Sequence, residues 1–249
     1  MSTFGHEPAV WQRFPALAVG VLWAAGVSGH PGTDSDFEAE LARIVRDGEV
    51  AAAGRLSRSA NHSESGLTSI AAWRRVYADL GYKPTQYRCA AESLLRRIRQ
   101  QGTLPRVHPL VDVCNAASAA HAIPVAVLDR DRIVGDLRVG FATGAERYRT
   151  FDGTEERPRP GEVIYRDSAG SAHARRWVNR QSATSAVGPG TGAVLIVAEA
   201  VHASAAADVG KLIMELRTQL ELLWATDCAV ALPTANDPIV QLNAGGFIP

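Results

Sequence analysis

The 249-residue sequence predicts an α+β fold: a single domain, residues 1–249, in which mixed β-sheets pack against a helix layer. Three observations predict it. Helical periodicity dominates up to about His121. Short apolar runs punctuated by Gly, Pro and Asp dominate after it. A long amphipathic pattern, Ala205 to Trp224, then closes the chain. At 46% apolar and 21% charged residues the chain is ordinary for a well-packed protein, and its length can bury a sizeable core without staples.

The elements follow in order. Phe14 to Trp23 alternates large and small residues, a strand with one packed face. Asp34 or Ser35 is placed to cap a helix through about Leu56, with Phe37, Leu41, Ile44 and Val45 on one side. RSANHSESG reads as a polar loop. Leu67 to Leu80 fits the 3.6-residue period, and Gly81 ends that helix. Thr85 is a cap for a helix to about Arg99, stopped by Gly102, and Pro109 opens another to about His121. Strands are expected at Val125–Asp129, Ile133–Phe141, Glu162–Arg166, Ala172–Val178 and Val194–Ala198, with a terminal one at Cys228–Leu232.

Composition narrows the function. No run of eighteen apolar residues occurs, so no membrane span is expected, and the first residues lack the pattern of a secretory signal. Cys89, Cys114 and Cys228 form neither metal spacing nor an even disulfide set, which points to a reducing cytoplasm. No metal or cofactor is expected. Net charge is zero, yet Arg74, Arg75, Lys83, Arg88, Arg96, Arg97, Arg99 and Arg106 form a basic stretch opposed only by Asp79 and Glu92.

From GTLPRVHPLVDVCN (102–115) through IPVAVLDRDRIVGDLRV (123–139) to PGEVIYRDSAGSAHA and VLIVAEA, the order of signals resembles the B3/4 domain of the phenylalanyl-tRNA synthetase beta subunit, most strongly over residues 83–203. That resemblance implies helices against two sheets. It also implies an editing module that hydrolyses tyrosine wrongly attached to tRNA, in a pocket between its sub-regions. No ATP-binding motif is present, so the chain looks like a free-standing relative acting in trans on the aminoacylated 3′ end of a tRNA. Two departures stand out. Ala126 occupies the place of the family's editing histidine, and the Arg180-Gln181 region that of the glutamate which recognises the tyrosine hydroxyl. Tyrosine specificity is therefore not carried over.

The segment HARRWVNRQS (173–182) carries the densest set of donors. Read as one strand, it puts His173, Arg175, Trp177 and Asn179 on one face and Arg176 and Arg180 on the other. Ester hydrolysis needs a positioned water and a stabilised oxyanion rather than a triad. On that basis His173, Asn179 and Gln181 are the catalytic candidates. His173 would serve as general base, the alternative being a satisfied structural histidine. Arg175, Arg176, Arg180 and Trp177 are candidates for phosphate and base contacts. His108 is placed at a pocket mouth or on the surface; Asp112 and Asn115 face a ligand or cap local backbone. Glu199, ending an apolar strand, holds a substrate ammonium or pairs with an arginine such as Arg175. Lys83, Tyr87 and Arg88 are RNA-contact candidates, against the plain reading of a solvated face. Two other functions remain in play: a non-catalytic RNA-binding module, favoured by Ala126, and a binder or hydrolase of a small amino-acid derivative, favoured by neutrality.

Overall fold

The structure, a computed structural model, describes residues 2–28 and 33–242. The helices are α1 (Pro8–Arg13), α2 (Asp34–Arg58), α3 (Thr68–Asp79), α4 (Ala90–Gln101), α5 (Pro109–His121) and α6 (Ala205–Trp224). The strands are β1 (Ser2–His6), β2 (Ala18–Ala25), β3 (Val125–Asp129), β4 (Leu137–Phe141), β5 (Arg147–Arg149), β6 (Glu155–Glu156), β7 (Val163–Asp167), β8 (Ser171–Arg175), β9 (Arg180–Gln181), β10 (Ala193–Ala200), β11 (Cys228–Ala231) and β12 (Ile239–Leu242). The α+β expectation holds: two sheets, one of them mixed, pack with a layer of helices.

The small sheet runs β11-β2-β10-β3 and is antiparallel throughout. The large sheet runs β12-β1-β4-β7-β8-β5-β6, with β9 paired to β8; its β1–β4 and β5–β8 pairs are parallel. β2 and β10 are buried nearly end to end, so the one-sided strand expected from alternation is corrected. Gly20, opposite Ala198, faces α6, where an added Cβ would collide with Val209 and Ile213. Val19 lies opposite Glu199, whose side chain reaches the large sheet instead. Alternating positions thus face α6 on one side and the large sheet on the other. At the crossing of α2 and α5, Gly48 allows close approach: a Cβ there would lie 2.8 Å from that of Ala116.

Several boundaries differ from expectation. Thr33, not Asp34 or Ser35, caps α2, its hydroxyl accepting from the Asp36 N–H at 3.2 Å. α4 starts at Ala90 rather than after Thr85, because the intervening residues form turns that seat Tyr82 against Tyr87. The polar stretch after α2 is two short 3-10 turns that bury Glu64 against Arg96 and Arg99. The basic stretch is largely neutralised: Arg74 and Arg88 pair with Glu92, and Arg106 with Asp112. Burial pushes the Glu92 carboxyl up against the opposing pull of Arg74. No described helix is long and apolar enough to cross a membrane.

Candidate functional site

The donor-rich segment is not one strand. β8 ends at Arg175, and the chain reverses through Arg176–Asn179 into β9, pairing Ala174 with Gln181 and Arg175 with Arg180. Arg176 (φ 48°) and Trp177 (φ 58°) occupy the left-handed region. That conformation costs a non-glycine residue roughly 1–2 kcal/mol. Surrounding bonds hold it. The Trp177 N–H donates to Val163 O at 2.7 Å, and the Arg176 N–H donates to Glu162 Oε1 at 3.0 Å. The Ala90 N–H at the start of α4 donates to Val178 O at 2.8 Å.

The hairpin forms one wall of a small recess with a cavity volume of about 60 Å³. Pro124, Val125 and Ala126 form the opposite wall, Ala90, Ala174 and Val178 add apolar surface, and Tyr165 and Trp177 lie at the base. β3 is the outer strand of the small sheet. The Glu199 N–H donates to Pro124 O at 3.2 Å, so alternation along the ladder turns the N–H and C=O of Val125 and Val127 toward the open edge. Two carboxamides bridge the walls. Gln181 Nε2 donates to Val127 O at 2.8 Å, and Asn179 Nδ2 donates to Arg88 O at 2.6 Å. Pinning each amide by its nitrogen leaves Asn179 Oδ1 and Gln181 Oε1 without a partner among the described residues. The recess therefore offers two oriented acceptors, one backbone N–H at a strand edge, and apolar walls.

Beneath it, Glu199 is wholly buried and gathers three donors: His6 Nε2 at 2.6 Å, Trp177 Nε1 at 2.7 Å, and the Tyr165 hydroxyl. Burial, then the neighbouring Glu199 charge, raises the Tyr165 phenol well above its ordinary range. His6 Nδ1 is buried without a partner among the described residues. This network fixes the base of the recess. No sequence signal exposed the role of His6, since a lone histidine in a short first strand carries no motif.

Four site expectations are corrected. His173 has 0% exposure; it lies next to Ala174 in β8 and points to the other side of the sheet, with Nε2 3.2 Å from Asp167. It does not reach the recess. Arg175 is a buried cation clasped by Glu162 (2.9 and 3.0 Å) and Glu156, with Tyr148 against its guanidinium. Trp177 is also 0% exposed, packed between Phe14 and Trp73, so it is no open stacking surface. Glu199 pairs with His6 rather than Arg175, and it is too deep to meet a substrate ammonium directly.

The α5 residues lie elsewhere. His108 caps that helix, its Nδ1 accepting from the Leu110 N–H, and lines a separate cleft with Phe37 and Trp224. Burial lowers its pKa, against the opposing charge of Asp112. Asp112 is buried and accepts from the Val107 N–H at 2.8 Å, the local capping role; Asn115 sits half-buried on the same helix. Arg180 is exposed at the recess, 3.6 Å from Glu156, and Arg176 lies over the Tyr87 ring at 4.5 Å. Of the RNA-contact candidates, Arg88 abuts the recess through its carbonyl, Tyr87 lies under Arg176, and Lys83 is exposed. Cys89, Cys114 and Cys228 are unpaired, and burial pushes each thiol up to about 12, so none is a ready nucleophile. Among the described residues no group of three or more His, Cys, Asp or Glu side chains is placed to hold a metal.

A hairpin is clipped to the open edge of a second sheet, with an apolar recess between them. The chain belongs to the B3/4 domain family, which residues 72–221 match, more than half of the chain. A phenylalanine--tRNA ligase beta subunit from Ruegeria pomeroyi is 33% identical over 75 residues, covering 30% of this chain and 9% of that protein. The chain thus spans a small part of that relative's length. The crystal structure of an N-terminal fragment of the phenylalanyl-tRNA synthetase beta subunit from Pyrococcus horikoshii is similar over 48% of this chain and 41% of that one, with 12% identity and a TM-score of 0.40.

Proposed function

We propose that this protein removes the amino acid from a mischarged tRNA in trans, by hydrolysing the ester at the aminoacylated 3′ end. The observation that carries the reading is the recess itself, where two carboxamides anchored through nitrogen face a strand edge whose Val125 N–H has no partner among the described residues. An aminoacyl ester presents a carbonyl oxygen that gathers negative charge, an ammonium or hydroxyl donor, and a side chain. The Val125 N–H suits the first, the oxygens of Asn179 and Gln181 suit a water or the ammonium, and Ala90, Ala126 and Val178 suit a small or apolar side chain. The ester is already activated and its ribose supplies a neighbouring hydroxyl, so positioning is the main demand. Arg180 at the recess is the candidate contact for a terminal phosphate, with Arg176 over the Tyr87 ring, Lys83 and Arg88 as further candidates. The three unpaired cysteines fit a reducing compartment such as the cytoplasm.

The test is a panel of tRNAs carrying radiolabelled non-cognate amino acids, incubated with the protein near neutral pH. Ester loss well above the buffer rate is expected for at least one member, and Gln181→Ala should slow it about 100-fold, the scale of one misplaced reacting group. Ala126→Phe should fill the recess and abolish turnover while leaving the melting temperature close to that of the parent. Background rates across the whole panel would overturn the proposal. One observation favours a second reading: no imidazole lines the recess, Ala126 standing where the family's histidine is expected. A tRNA-binding module without turnover would show steep salt-dependent binding and no ester loss in the same panel.

A further inference from the structure

Outside the recess, the segment RYRTF (147–151) alternates in a way that no other function here absorbs. Tyr148 and Thr150 point inward and are buried, while Arg147, Arg149 and Phe151 point out. Phe151 is 70% exposed, sharing with one other side chain the highest exposure among the large apolar residues described. Its exposure is imposed. The Thr150 hydroxyl donates to Asp152, the Thr154 N–H donates to Asp152 Oδ1 at 3.0 Å, and the Thr150 N–H donates to Thr154 O at 2.9 Å. The turn is thereby locked with the ring turned outward. A cleft of about 450 Å³ lies beside it, lined by Phe151, Arg149, Arg132 and Thr184.

We infer that this cleft is a single-stranded nucleic-acid subsite, with Phe151 as the stacking platform for a base and Arg149 and Arg132 as phosphate contacts. Arg149 and Arg147 have no ion pair among the described residues. Arg132 shares Asp129 at 3.3 Å but keeps its side chain 62% exposed. The one acid in the turn, Asp152, has its Oδ1 already engaged by Thr150 and Thr154. Cations flanking an exposed aromatic ring match the chemistry of a nucleotide strand, because every base has a face to stack and every linkage a charge. A protein partner would find charge beside a single ring rather than a continuous apolar patch.

The cleft also adjoins the recess. Gln181 lines one and Thr184 the other, at most about 11 Å of chain apart. The span is rigid: Tyr148 OH donates to Gln181 O at 2.8 Å and Ser182 Oγ to Arg149 O at 2.9 Å. A strand whose acylated end enters the recess would therefore lay a preceding base on Phe151. This placement rests on the deacylase reading; nucleic-acid binding at Phe151 does not.

The probe is a fluorescein-labelled eight-nucleotide single-stranded RNA, with binding followed by anisotropy at about 50 mM salt. Phe151→Ala should weaken binding about tenfold or more, the cost of one lost stacking contact, and Phe151→Trp should restore it. Arg149→Gln should flatten the dependence of affinity on salt by about one phosphate contact. Both side chains are on the surface, so thermal melting should match the parent. An unchanged affinity in Phe151→Ala, or no binding by the parent protein, overturns the inference. If Phe151→Ala binds as the parent does while the parent deacylates tRNA, the subsite falls and the deacylase stands. If Phe151→Ala loses RNA while the parent leaves every ester intact, the subsite stands and the deacylase falls.

Discussion

Replacing Glu199 with glutamine changes one atom at the point where both sheets meet. Its two oxygens take donors from His6, Trp177 and Tyr165, which belong to β1, the hairpin tip and β7. In the variant the remaining oxygen can keep His6 and Trp177, and the Tyr165 hydroxyl can turn to accept from the new amide. The bonds survive in number but lose their charge. A hydrogen bond to a charged group contributes ~1.5–3 kcal/mol and a neutral one ~0.5–1.5, so three such changes amount to about 3 kcal/mol. For a chain of this size that lowers the melting temperature by about 6–12 °C. Glu199→Ala strands all three donors at ~1–3 kcal/mol each, a sum comparable with the ~5–15 kcal/mol that holds a typical domain. Urea unfolding followed by far-UV circular dichroism reads both variants: the midpoint should fall with an unchanged slope for glutamine, and the alanine variant should be largely unfolded. A glutamine variant within ~0.5 kcal/mol of the parent would show that the three donors do not depend on Glu199, and the account of the recess base would be wrong.

Other perturbations test other parts of the frame. Glu162→Gln leaves Arg175 buried with only Glu156 as counter-charge, and should cost about 3 kcal/mol in the same urea assay; an effect below ~1 kcal/mol would contradict the buried pair. Gly48→Val drives a side chain into Ala116 and should destabilise by about 2–3 kcal/mol by forcing α2 from α5. Acid should also weaken the fold. Burial alone would raise Glu162 and Asp167. Arg175 and the Arg176 and Arg159 N–H groups outweigh it at Glu162; His173 and the Ser171 and Val134 N–H groups do so at Asp167, and both end below their ordinary range. Groups lowered in the folded state contribute stability above their unfolded pKa, near 4, and lose it as pH falls through the folded value. The urea midpoint should be steady from pH 7 to 5 and drop below about pH 4; a midpoint flat to pH 3 counts against both assignments.

Much of the architecture was legible because periodicity reports burial. β3 runs Val125–Asp129 and α6 runs Ala205–Trp224, the limits that pattern and flanking breakers indicate. The two-residue strands β6 and β9 are too short to show a period, and β1 and β12 become strands only by pairing with each other and with β4. At the site, donor density drew attention to the correct segment but to a wrong geometry. Two left-handed residues, Arg176 and Trp177, fold what reads as one strand into a hairpin, and neither is the glycine or asparagine that marks such a turn. That reversal removes His173 and Arg175 from the recess and leaves Asn179 and Gln181 lining it. The burial of Trp177 was equally hidden, because its partners Phe14 and Trp73 are far away in sequence.

β2 sits between β10 and β11, and it is apolar on both sides. On the ribosome it is made before both, and neither neighbour exists until residues 193–200 and 228–231 have followed. During that interval AVGVLWAA is a sticky ribbon awaiting partners, the kind of segment that recruits chaperones or seeds aggregates. Slowing elongation late in the message should therefore lower soluble yield more than slowing it early, even though the finished molecule is identical.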